Sequence, residues 1–301
     1  MMRVLLTGVG GPAGRSLARQ LSARGHWVAG TDLRDTGAEV DAFRRVCAVS
    51  DPAYLPTLHE LVGEWSVDAV IPSISEELPL LAGQHALLPV PVLIGSPDAV
   101  GTADDKLLTA QRLQQAGVPV PRFAGPADFP SAADAVSALG GPVIVKPRVG
   151  RGGRGVRLLD VYEAAGSIAE GFWADLDEES IVQEFAPGAE YAPVLFRDID
   201  GAFPVCTVLR KTALKDGAVG NAVSVVRVEG TEDDDVRSVA RAAAEALDLH
   251  GPIDVDVRRR ADGMPVVLEI NARFGANSAH APELLDAALA SLSERTAAAR
   301  V

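Results

Sequence analysis

Residues 143–156 of this 301-residue chain read VIVKPRVGRGGRGV, and they are the most informative segment for predicting its fold. Its β-branched start predicts a strand that ends in Lys146, followed at once by a loop with four glycines. Glycines let backbone N–H groups approach a polyphosphate closely, with no side chain in the way. The lysine precedes the glycines and no Gly-Lys-Ser/Thr follows, so the loop is not a P-loop. The alternative is a solvated glycine-rich hairpin with incidental arginines.

The charge of this stretch contrasts with that of the whole chain. The sequence has 28 Lys plus Arg and 41 Asp plus Glu, a formal net charge of −13. Yet five cations and no acid fall between positions 146 and 157: Lys146, Arg148, Arg151, Arg154 and Arg157. This cluster favours a bound polyanion at one local site. The acidic total argues against a nucleic-acid partner, because phosphate backbones are held by clustered positive charge.

Composition predicts an ordinary globular protein. The chain is 48% hydrophobic and 23% charged, which is enough apolar material for a sizeable core. Two cysteines, Cys47 and Cys206, are too few for a disulfide framework, and no apolar run approaches the roughly 20 residues of a membrane span. The start of the chain becomes glycine-rich before a signal-peptide core would be complete. We therefore expect a cytoplasmic protein with no membrane partner.

The first 95 residues predict a Rossmann-like half. Expected strands lie at 4–7, 27–31, 46–49, 69–72 and 91–94. Expected helices lie near 12–24, 52–64 and 76–88. This alternation is typical of parallel strands joined by right-handed crossovers.

A glycine-rich turn follows the first expected strand. Gly8, Gly10 and Ala13 fit the G-x-G-x-x-G/A fingerprint, and Asp32 follows near the spacing of a ribose-binding acid. The pattern is compatible with an NAD(P)-dependent oxidoreductase, whereas the alternative is glycines that serve only tight packing. The pair Glu76-Glu77 follows another strand end, where it could meet a substrate amine or simply begin a helix.

The second half predicts antiparallel sheets. Asp-Gly pairs, typical of hairpin turns, separate several of the apolar runs. The expected strands lie at 143–146, 181–185, 191–197, 203–209, 222–228, 253–258 and 265–271. The expected helices lie at 104–116, 232–248 and 282–299, and 124–142 is a loose connection or a short helix.

The last hairpin carries candidate metal ligands. Side chains alternate faces along a strand, so Glu269 and Asn271 share one face, and Asp254 and Asp256 share a face that can coincide with it. Hard oxygen ligands of this kind suit Mg²⁺, which binds one or two carboxylates plus substrate phosphates. Arg273, two residues further on, can reach the same phosphates. The alternative is solvated edge-strand carboxylates with a structural arginine.

These elements, in this order, resemble the ATP-grasp superfamily over nearly the whole chain. The resemblance rests on Asp105-Lys106 in a helix leading to LQQAGVPVP (113–121), the lysine strand and glycine loop, the hinge-like IVQEFAPGAEY (181–191), and EINAR (269–273). It is nearest to stand-alone carboxylate:amine ligases related to the carbamoyl-phosphate synthetase large chain.

The resemblance implies a fold of mixed α/β and α+β class. A Rossmann-like preceding domain, 1–98, would be followed by an ATP-grasp domain, 99–301, in which two α+β subdomains sandwich ATP. The lid subdomain would span about 120–182 and the C-terminal subdomain 183–301.

The resemblance also implies roles for individual residues. It implies that the ATP phosphates are bound by Lys106, Lys146, Lys211 and the mobile loop of Gly150, Arg151, Gly152, Gly153 and Gly155. The hinge of Gln183, Glu184 and Phe185 would hydrogen-bond adenine, largely through backbone groups, and Glu190 would hold the ribose. Asp256, Glu269 and Asn271 would bind Mg²⁺, or Mn²⁺; Asp256 is preferred to Asp254 because its spacing of 13 residues to Glu269 is that of D-alanine:D-alanine ligases. Arg273 and Lys146 would be catalytic.

The implied reaction joins a carboxylate to an amine through an acyl phosphate formed with ATP. The expected partners are small molecules, with amino acids or small peptides as the family-level substrates, and a homodimer is the expected assembly. Two departures affect this expectation: Ala272 replaces the usual proline, and residues 275–280 leave the acceptor pocket unreadable. A non-catalytic ATP-binding protein is a further alternative, although it would be expected to have lost a metal ligand or Arg273.

Overall fold

The structure, a computed structural model, describes residues 1–150, 152–216 and 219–299. Its strands are β1 (Arg3–Thr7), β2 (Trp27–Asp32), β3 (Ala42–Arg45), β4 (Ala69–Ile71), β5 (Phe123–Ala124), β6 (Val143–Pro147), β7 (Arg157–Leu159), β8 (Ser180–Glu184), β9 (Glu190–Tyr191), β10 (Val194–Arg197), β11 (Val205–Thr207), β12 (Leu209–Asp216), β13 (Val219–Arg227), β14 (Gly251–Arg259) and β15 (Pro265–Asn271). Its α-helices are α1 (Pro12–Ala23), α2 (Tyr54–Glu64), α3 (Leu78–Gln84), α4 (Pro97–Asp104), α5 (Lys106–Gln115), α6 (Ala132–Leu139), α7 (Val161–Ala164), α8 (Ser167–Ala174), α9 (Asp234–Ala246) and α10 (Glu283–Ala299).

The N-terminal part contains a parallel sheet in the order β3-β2-β1-β4. The predictions of strands at 46–49 and 91–94 are wrong. The ladder of the edge strand ends at Arg45, before the expected 46–49 run. At 91–94 a single bridge joins Val92 to Val70, because Pro91 lacks the N–H that a longer ladder would need.

The expected helix at 104–116 is α5, and a helix that was not predicted, α4, comes directly before it. Asp105 adopts extended backbone angles between them, and its carboxylate accepts hydrogen bonds from the backbone N–H groups of Leu107 and Leu108. It therefore serves as the N-cap of α5 and places Lys106 at the first position of that helix. The connection at 124–142 contains α6, which Ser131 caps and Gly140 ends in the left-handed conformation.

The second half forms two antiparallel sheets. The small sheet has the order β5-β8-β6-β7, and the large one β11-β10-β14-β9-β12-β13, with β15 on the other edge of β14. Asp-Gly turns at 200–201 and 262–263 join β10 to β11 and β14 to β15, as expected. The expected strand 191–197 is two short strands, β9 and β10, which lie end to end along β14.

Three hydrophobic clusters organise these layers. Two of them combine side chains from the parallel sheet with side chains from the large antiparallel sheet and its helices; for example, Leu5 belongs to the cluster of Ile253, and Leu6 to that of Phe274. The third cluster contains only residues between 129 and 182, packed on the small sheet. The domain boundary predicted at 98 and the subdomain boundaries predicted at about 120 and 182 stay predictions. Within the described ranges, no helix combines the length and the apolar character that crossing a bilayer requires.

Candidate active site

A cleft of about 870 Å³ lies between the small and large antiparallel sheets, and we call it the lysine cleft. Eleven of the residues predicted for the site line it: Lys106, Lys146, Gly150, Gly153, Gln183, Glu184, Phe185, Glu190, Lys211, Asp256 and Glu269. These residues come from α5, β6, β8, β9, β12, β14 and β15 and from the glycine loop. The fold therefore brings together side chains that are up to 163 residues apart in the sequence.

The two predicted phosphate lysines enter the lysine cleft from different elements. Lys146, at the end of β6, is buried and donates from Nζ to the backbone oxygen of Leu268 at 3.2 Å. Burial lowers the pKa of Lys146 to about 8. The Nζ of Lys106 donates to the backbone oxygen of Gly150 at 2.8 Å and lies 3.5 Å from Glu269 Oε1. Lys106 thus contacts both the glycine loop and a predicted metal ligand.

An ion pair that sequence reasoning missed fixes the position of Lys106. Arg148, just beyond the lysine strand, donates from Nη2 to Asp105 Oδ2 at 2.6 Å, and its backbone oxygen accepts the N–H of Lys106 at 2.9 Å. Burial raises the pKa of the Asp105 carboxyl, but the hydrogen bonds from Arg148 and the α5 backbone outweigh it and hold the pKa below its usual value. The pair joins α5 to β6 and so holds Lys106 beside Lys146. The sequence signal that could have indicated this pair was Asp105, a residue type that is common at the N-cap of a helix.

The glycine loop requires glycine at several positions. Gly152, Gly153 and Gly155 have φ between 66° and 73°, the left-handed region that other residues rarely adopt. A Cβ on Gly155 would also lie 2.9 Å from the Pro147 ring. Gly155 therefore shapes the loop. It does not line the lysine cleft. The predicted loop residue Arg151 lies outside the described residues.

The predicted adenine hinge is tied into the small sheet. The backbone N–H of Glu184 donates to Arg122 O at 2.8 Å, and that of Phe185 donates to Pro142 O at 2.9 Å. The Glu184 carboxylate accepts from Arg122 Nε at 3.1 Å and from Arg260 Nη2 at 3.0 Å. These N–H groups and this carboxylate are thus engaged within the protein. A base in the cleft would have to use other groups of this segment.

Lys211 lies between two of the predicted acids. Its Nζ is 2.6 Å from Glu190 Oε1 and 2.6 Å from Asp256 Oδ1, and only 6% of its side chain is exposed. Burial alone would lower the pKa of Lys211, but the charges of Asp256 and Glu190 raise it above its usual value. The lysine therefore neutralises the carboxylates that would otherwise repel one another.

Replacing Lys211 with methionine should destabilise the fold. Removing one partner of a buried ion pair leaves an uncompensated charge, which costs about 3 kcal/mol or more. We expect a reduced free energy of unfolding for Lys211→Met in urea titration at pH 7. Lys215→Met is the matched control, since Lys215 is exposed on the same strand. Equal stabilities for the two variants would show that the Lys211 ion pairs contribute nothing to stability.

The strands β14 and β15 set four oxygen-bearing side chains in opposed pairs. Asp256 pairs with Glu269 and Asp254 pairs with Asn271. Among the residues that the structure describes, no three His, Cys, Asp or Glu side chains form a metal-binding group by themselves. Two carboxylates and an amide nevertheless fit Mg²⁺, which typically takes few protein ligands and completes its shell with phosphate oxygens and water. The donor set therefore fits a metal held jointly with a phosphate ligand.

A second cavity of about 1240 Å³ adjoins the lysine cleft, and we call it the arginine cavity. The two share Gly153, Lys211, Asp256 and Glu269 as lining residues. The arginine cavity also contains three more of the predicted residues, Gly152, Asn271 and Arg273.

The Arg273 guanidinium is held from several sides. Its Nη2 donates to Asn271 Oδ1 at 3.0 Å and its Nη1 donates to Phe274 O at 3.0 Å. Its Nε donates to Ser75 Oγ at 3.1 Å, in the N-terminal part of the chain. Sequence reasoning missed Ser75, because nothing in its local sequence indicates contact with a residue 198 positions away.

Asp254 faces the arginine cavity beside Arg273. Its Oδ2 is 3.8 Å from Arg273 Nη1, whereas its buried Oδ1 has no hydrogen-bond partner among the described residues. A Cβ on Gly275 would lie 1.6 Å from Asp254 Oδ2, so only glycine fits opposite this carboxylate. Burial raises the pKa of Asp254 to about 7.

The comparison with known proteins identifies the family. Residues 103–277, more than half of the chain, match the ATP-grasp domain. The chain belongs to the ATP-grasp family. This confirms the predicted family, the mixed α/β and α+β class and the prediction of an ATP-dependent ligase.

Individual relatives of this ATP-grasp protein agree with that result. A probable alpha-L-glutamate ligase of Aeromonas salmonicida is 27% identical over 91% of this chain and 89% of its own length. Another, of Pseudoalteromonas translucida, is 30% identical over 87% and 83%. The crystal structure of the L-amino acid ligase from Bacillus licheniformis shares the fold, with a TM-score of 0.72 and 20% identity over 93% of this chain and 69% of that chain.

The N-terminal glycine turn of the ATP-grasp protein has a packing explanation. A Cβ on Gly10 would lie 2.2 Å from Thr36 Cγ2, and one on Gly14 would lie 2.4 Å from Gly8 O. The Asp32 carboxylate accepts the N–H of Gly10 at 3.0 Å. Gly10 and Asp32 of the fingerprint therefore have a structural role, as the packing alternative requires.

The neighbouring acids Glu76 and Glu77 have different environments. Glu77 is fully buried and accepts hydrogen bonds from the Thr7 and Tyr54 hydroxyls, each at 2.5 Å. Burial raises its pKa. Of the two alternatives for Glu77, contact with a substrate amine does not fit, because the protein interior surrounds this side chain. Glu76 is exposed.

Proposed function

We propose that this ATP-grasp ligase uses ATP and Mg²⁺ to join a carboxylate to an amine, with amino acids or small peptides as substrates. The observation that carries the proposal is the junction of the two cavities at Lys211, Asp256 and Glu269. A nucleotide in the lysine cleft would present its terminal phosphate at this junction, where substrates in the arginine cavity can reach it. The names of the glutamate-ligase relatives support amino-acid substrates.

The lysine cleft would hold ATP through the predicted residues. Lys106, Lys146 and the glycine loop would bind the phosphates, and Glu190 the ribose. Because the Glu184 and Phe185 N–H groups are engaged in the small sheet, adenine would use other backbone groups of the hinge from Gln183 onward. Lys211 would add a phosphate contact at the junction.

Asp256, Glu269 and Asn271 would hold Mg²⁺, and Mn²⁺ fits the same oxygen ligands. When bound there, the metal neutralises phosphate charge and orients the terminal phosphate. The Lys106 contact of Glu269 and the Lys211 contact of Asp256 hold both acids in place.

The reaction would proceed in two steps. A substrate carboxylate oxygen attacks the γ-phosphorus of ATP, and the bond to the β-γ bridging oxygen breaks, which gives ADP and an acyl phosphate. The amine nitrogen then attacks the acyl carbon, phosphate leaves, and the nitrogen loses a proton. Lys146 and Arg273 would stabilise the negative charge that moves in both steps. The glycine loop would exclude water from the acyl phosphate.

The affinity for Mg·ATP should fall as the pH rises above about 8. In the protein without nucleotide, Lys146 has a pKa of about 8, lowered chiefly by burial and further by the charge of Lys106. The acids Glu269, Asp256 and Glu190 oppose this shift. Bound phosphate favours protonated Lys146, so binding takes up a proton above that pKa. We expect about a tenfold loss of affinity between pH 7 and 9, measured by calorimetry. Lys146→Arg should bind with a much flatter pH profile; an equal decline would show that another group titrates.

The proposed function is tested by phosphate and ADP release over a panel of acid and amine pairs with Mg·ATP. We expect release that depends on both substrates, and amide product by mass spectrometry. ATP binding without turnover over the whole panel would favour a non-catalytic ATP-binding protein. Thermal stabilisation by NAD(P)H alone would favour the oxidoreductase alternative. A homodimer and a cytoplasmic location remain part of the proposal.

A further inference from the structure

A third cavity, of about 1220 Å³, lies at the carboxyl edge of the parallel sheet, and we call it the apolar cavity. Aliphatic side chains and Tyr54 form much of its wall, and Leu33, which is 53% exposed, lies at its opening. Val46 and Val49, in the expected strand that did not form, also face it. None of these groups has a role in the reaction derived above.

The apolar cavity adjoins the arginine cavity. Gly11 and Ile74 line both. The loop that carries Ile74 is fixed from below, because buried Glu77 accepts the N–H groups of Ser73 and Ile74 at 3.1 and 3.2 Å. The next residue, Ser75, accepts the hydrogen bond from Arg273. Ile74, which lines both cavities, is therefore the sequence neighbour of the residue that binds Arg273.

The charge of the lining indicates what kind of group would enter. Two carboxylates, Asp32 and Glu76, belong to the lining, and no Lys, Arg or His side chain does among the described residues. A bound anion would meet only like charges there, whereas a cationic end group would be attracted. The aliphatic wall suits the methylene stem of a long side chain.

We propose that the apolar cavity binds the side chain of one of the two substrates, and that this side chain has an aliphatic stem and a cationic end. The proposal rests on the ligase function and specifies its substrate: the reacting groups lie in the arginine cavity and the side chain extends past Ile74. A glutamate side chain is disfavoured here by Asp32 and Glu76.

A dinucleotide is the rival occupant of the apolar cavity, and the charge of the lining argues against it. The Asp32 carboxylate, which stands where a dinucleotide-binding protein has its ribose-binding acid, accepts the N–H of Gly10 at 3.0 Å. Arg15 donates to Thr36 O at 2.8 Å and to Gly10 O at 3.0 Å, which holds residue 36 against the glycine turn. Residue 36 therefore covers only the Gly10 side of the turn, but a pyrophosphate would meet Asp32 and Glu76 with no cationic side chain in the lining among the described residues.

Cys47 gives a direct test, because it lines the apolar cavity. Burial raises the pKa of the other thiol, Cys206, to about 11, so N-ethylmaleimide should modify Cys47 first. We expect millimolar L-lysine or L-arginine to slow this modification at least fivefold, and L-glutamate to leave it unchanged. Cys47→Ser is the control for the site of modification. Equal rates with and without L-lysine, or protection by NADH instead, would overturn the proposal.

Substrate kinetics provide the second test. The double variant Asp32→Asn with Glu76→Gln keeps the shape of the lining and removes its charge. We expect its KM for the basic amino acid to rise at least tenfold and its KM for ATP to stay within twofold, whereas the exposed control Glu39→Gln changes neither. An unchanged KM for the basic amino acid would overturn the proposal.

The two proposals fail in different ways. Turnover with other amino acids, without protection of Cys47 by L-lysine, would leave the ligase function and refute the side-chain site. Protection of Cys47 by L-lysine, without turnover on any pair, would support the site and refute the ligase function.

Discussion

Glu269→Gln should lower kcat by roughly 1,000-fold, which corresponds to about 4 kcal/mol of transition-state stabilisation. Glu269 lines both the lysine cleft and the arginine cavity, opposes Asp256 across the β14–β15 hairpin, and lies 3.5 Å from Lys106 Nζ. Its replacement removes a charge from the pair that would bind Mg²⁺ beside the phosphates. Glutamine keeps the size of the side chain, so the fold should tolerate it.

The Mg²⁺ dependence of the rate distinguishes a metal ligand from a structural residue. We expect the Mg²⁺ concentration for half-maximal activity to rise at least tenfold in Glu269→Gln, measured at a temperature at which the variant is still folded. Glu294→Gln is the matched control, because Glu294 is exposed on α10. A Glu269→Gln variant with full activity would refute the metal assignment.

Arg273→Lys should lower kcat by roughly 100- to 1,000-fold, with a KM for ATP within about threefold of the original value. The guanidinium donates at once to Ser75 Oγ, Asn271 Oδ1 and Phe274 O. Lysine keeps the charge but cannot make this planar set of hydrogen bonds, so the charge would not be fixed beside the reacting phosphate.

Steady-state kinetics at saturating ATP check this prediction. The exposed Arg19 on α1 supplies the control Arg19→Lys, which should keep its full kcat. A loss confined to KM for ATP would indicate that Arg273 serves nucleotide binding instead of the reaction.

The elements that carry the lysines and acids were predictable because their patterns are local. A β-branched strand before Lys146, the turn before Glu269 and alternation along β14 and β15 each depend on a few neighbouring residues. The same locality explains the errors at 46–49 and 91–94. There, apolar residues face a cavity or follow proline, and the apolar pattern alone does not distinguish these cases from a paired strand.

The contacts that unite the site were not predictable from the sequence, because they join distant segments. The pairing of Arg148 with Asp105, the position of Lys211 between two acids and the bond from Arg273 to Ser75 depend on how the sheets are placed relative to one another. Single-sequence patterns give the kind of residue at each position but not its partner across the fold.

The separate hydrophobic cluster of residues 129–182 has a consequence for local opening. The other two clusters join the N-terminal and C-terminal parts, so those parts should exchange backbone amide hydrogens as one cooperative unit. The small sheet has its own core and is attached to the rest through Phe123, which packs against the first cluster, and through polar contacts such as those of Lys146, Arg148 and Glu184. Its amides should therefore exchange at a lower opening free energy, and bound nucleotide should slow them more than any others.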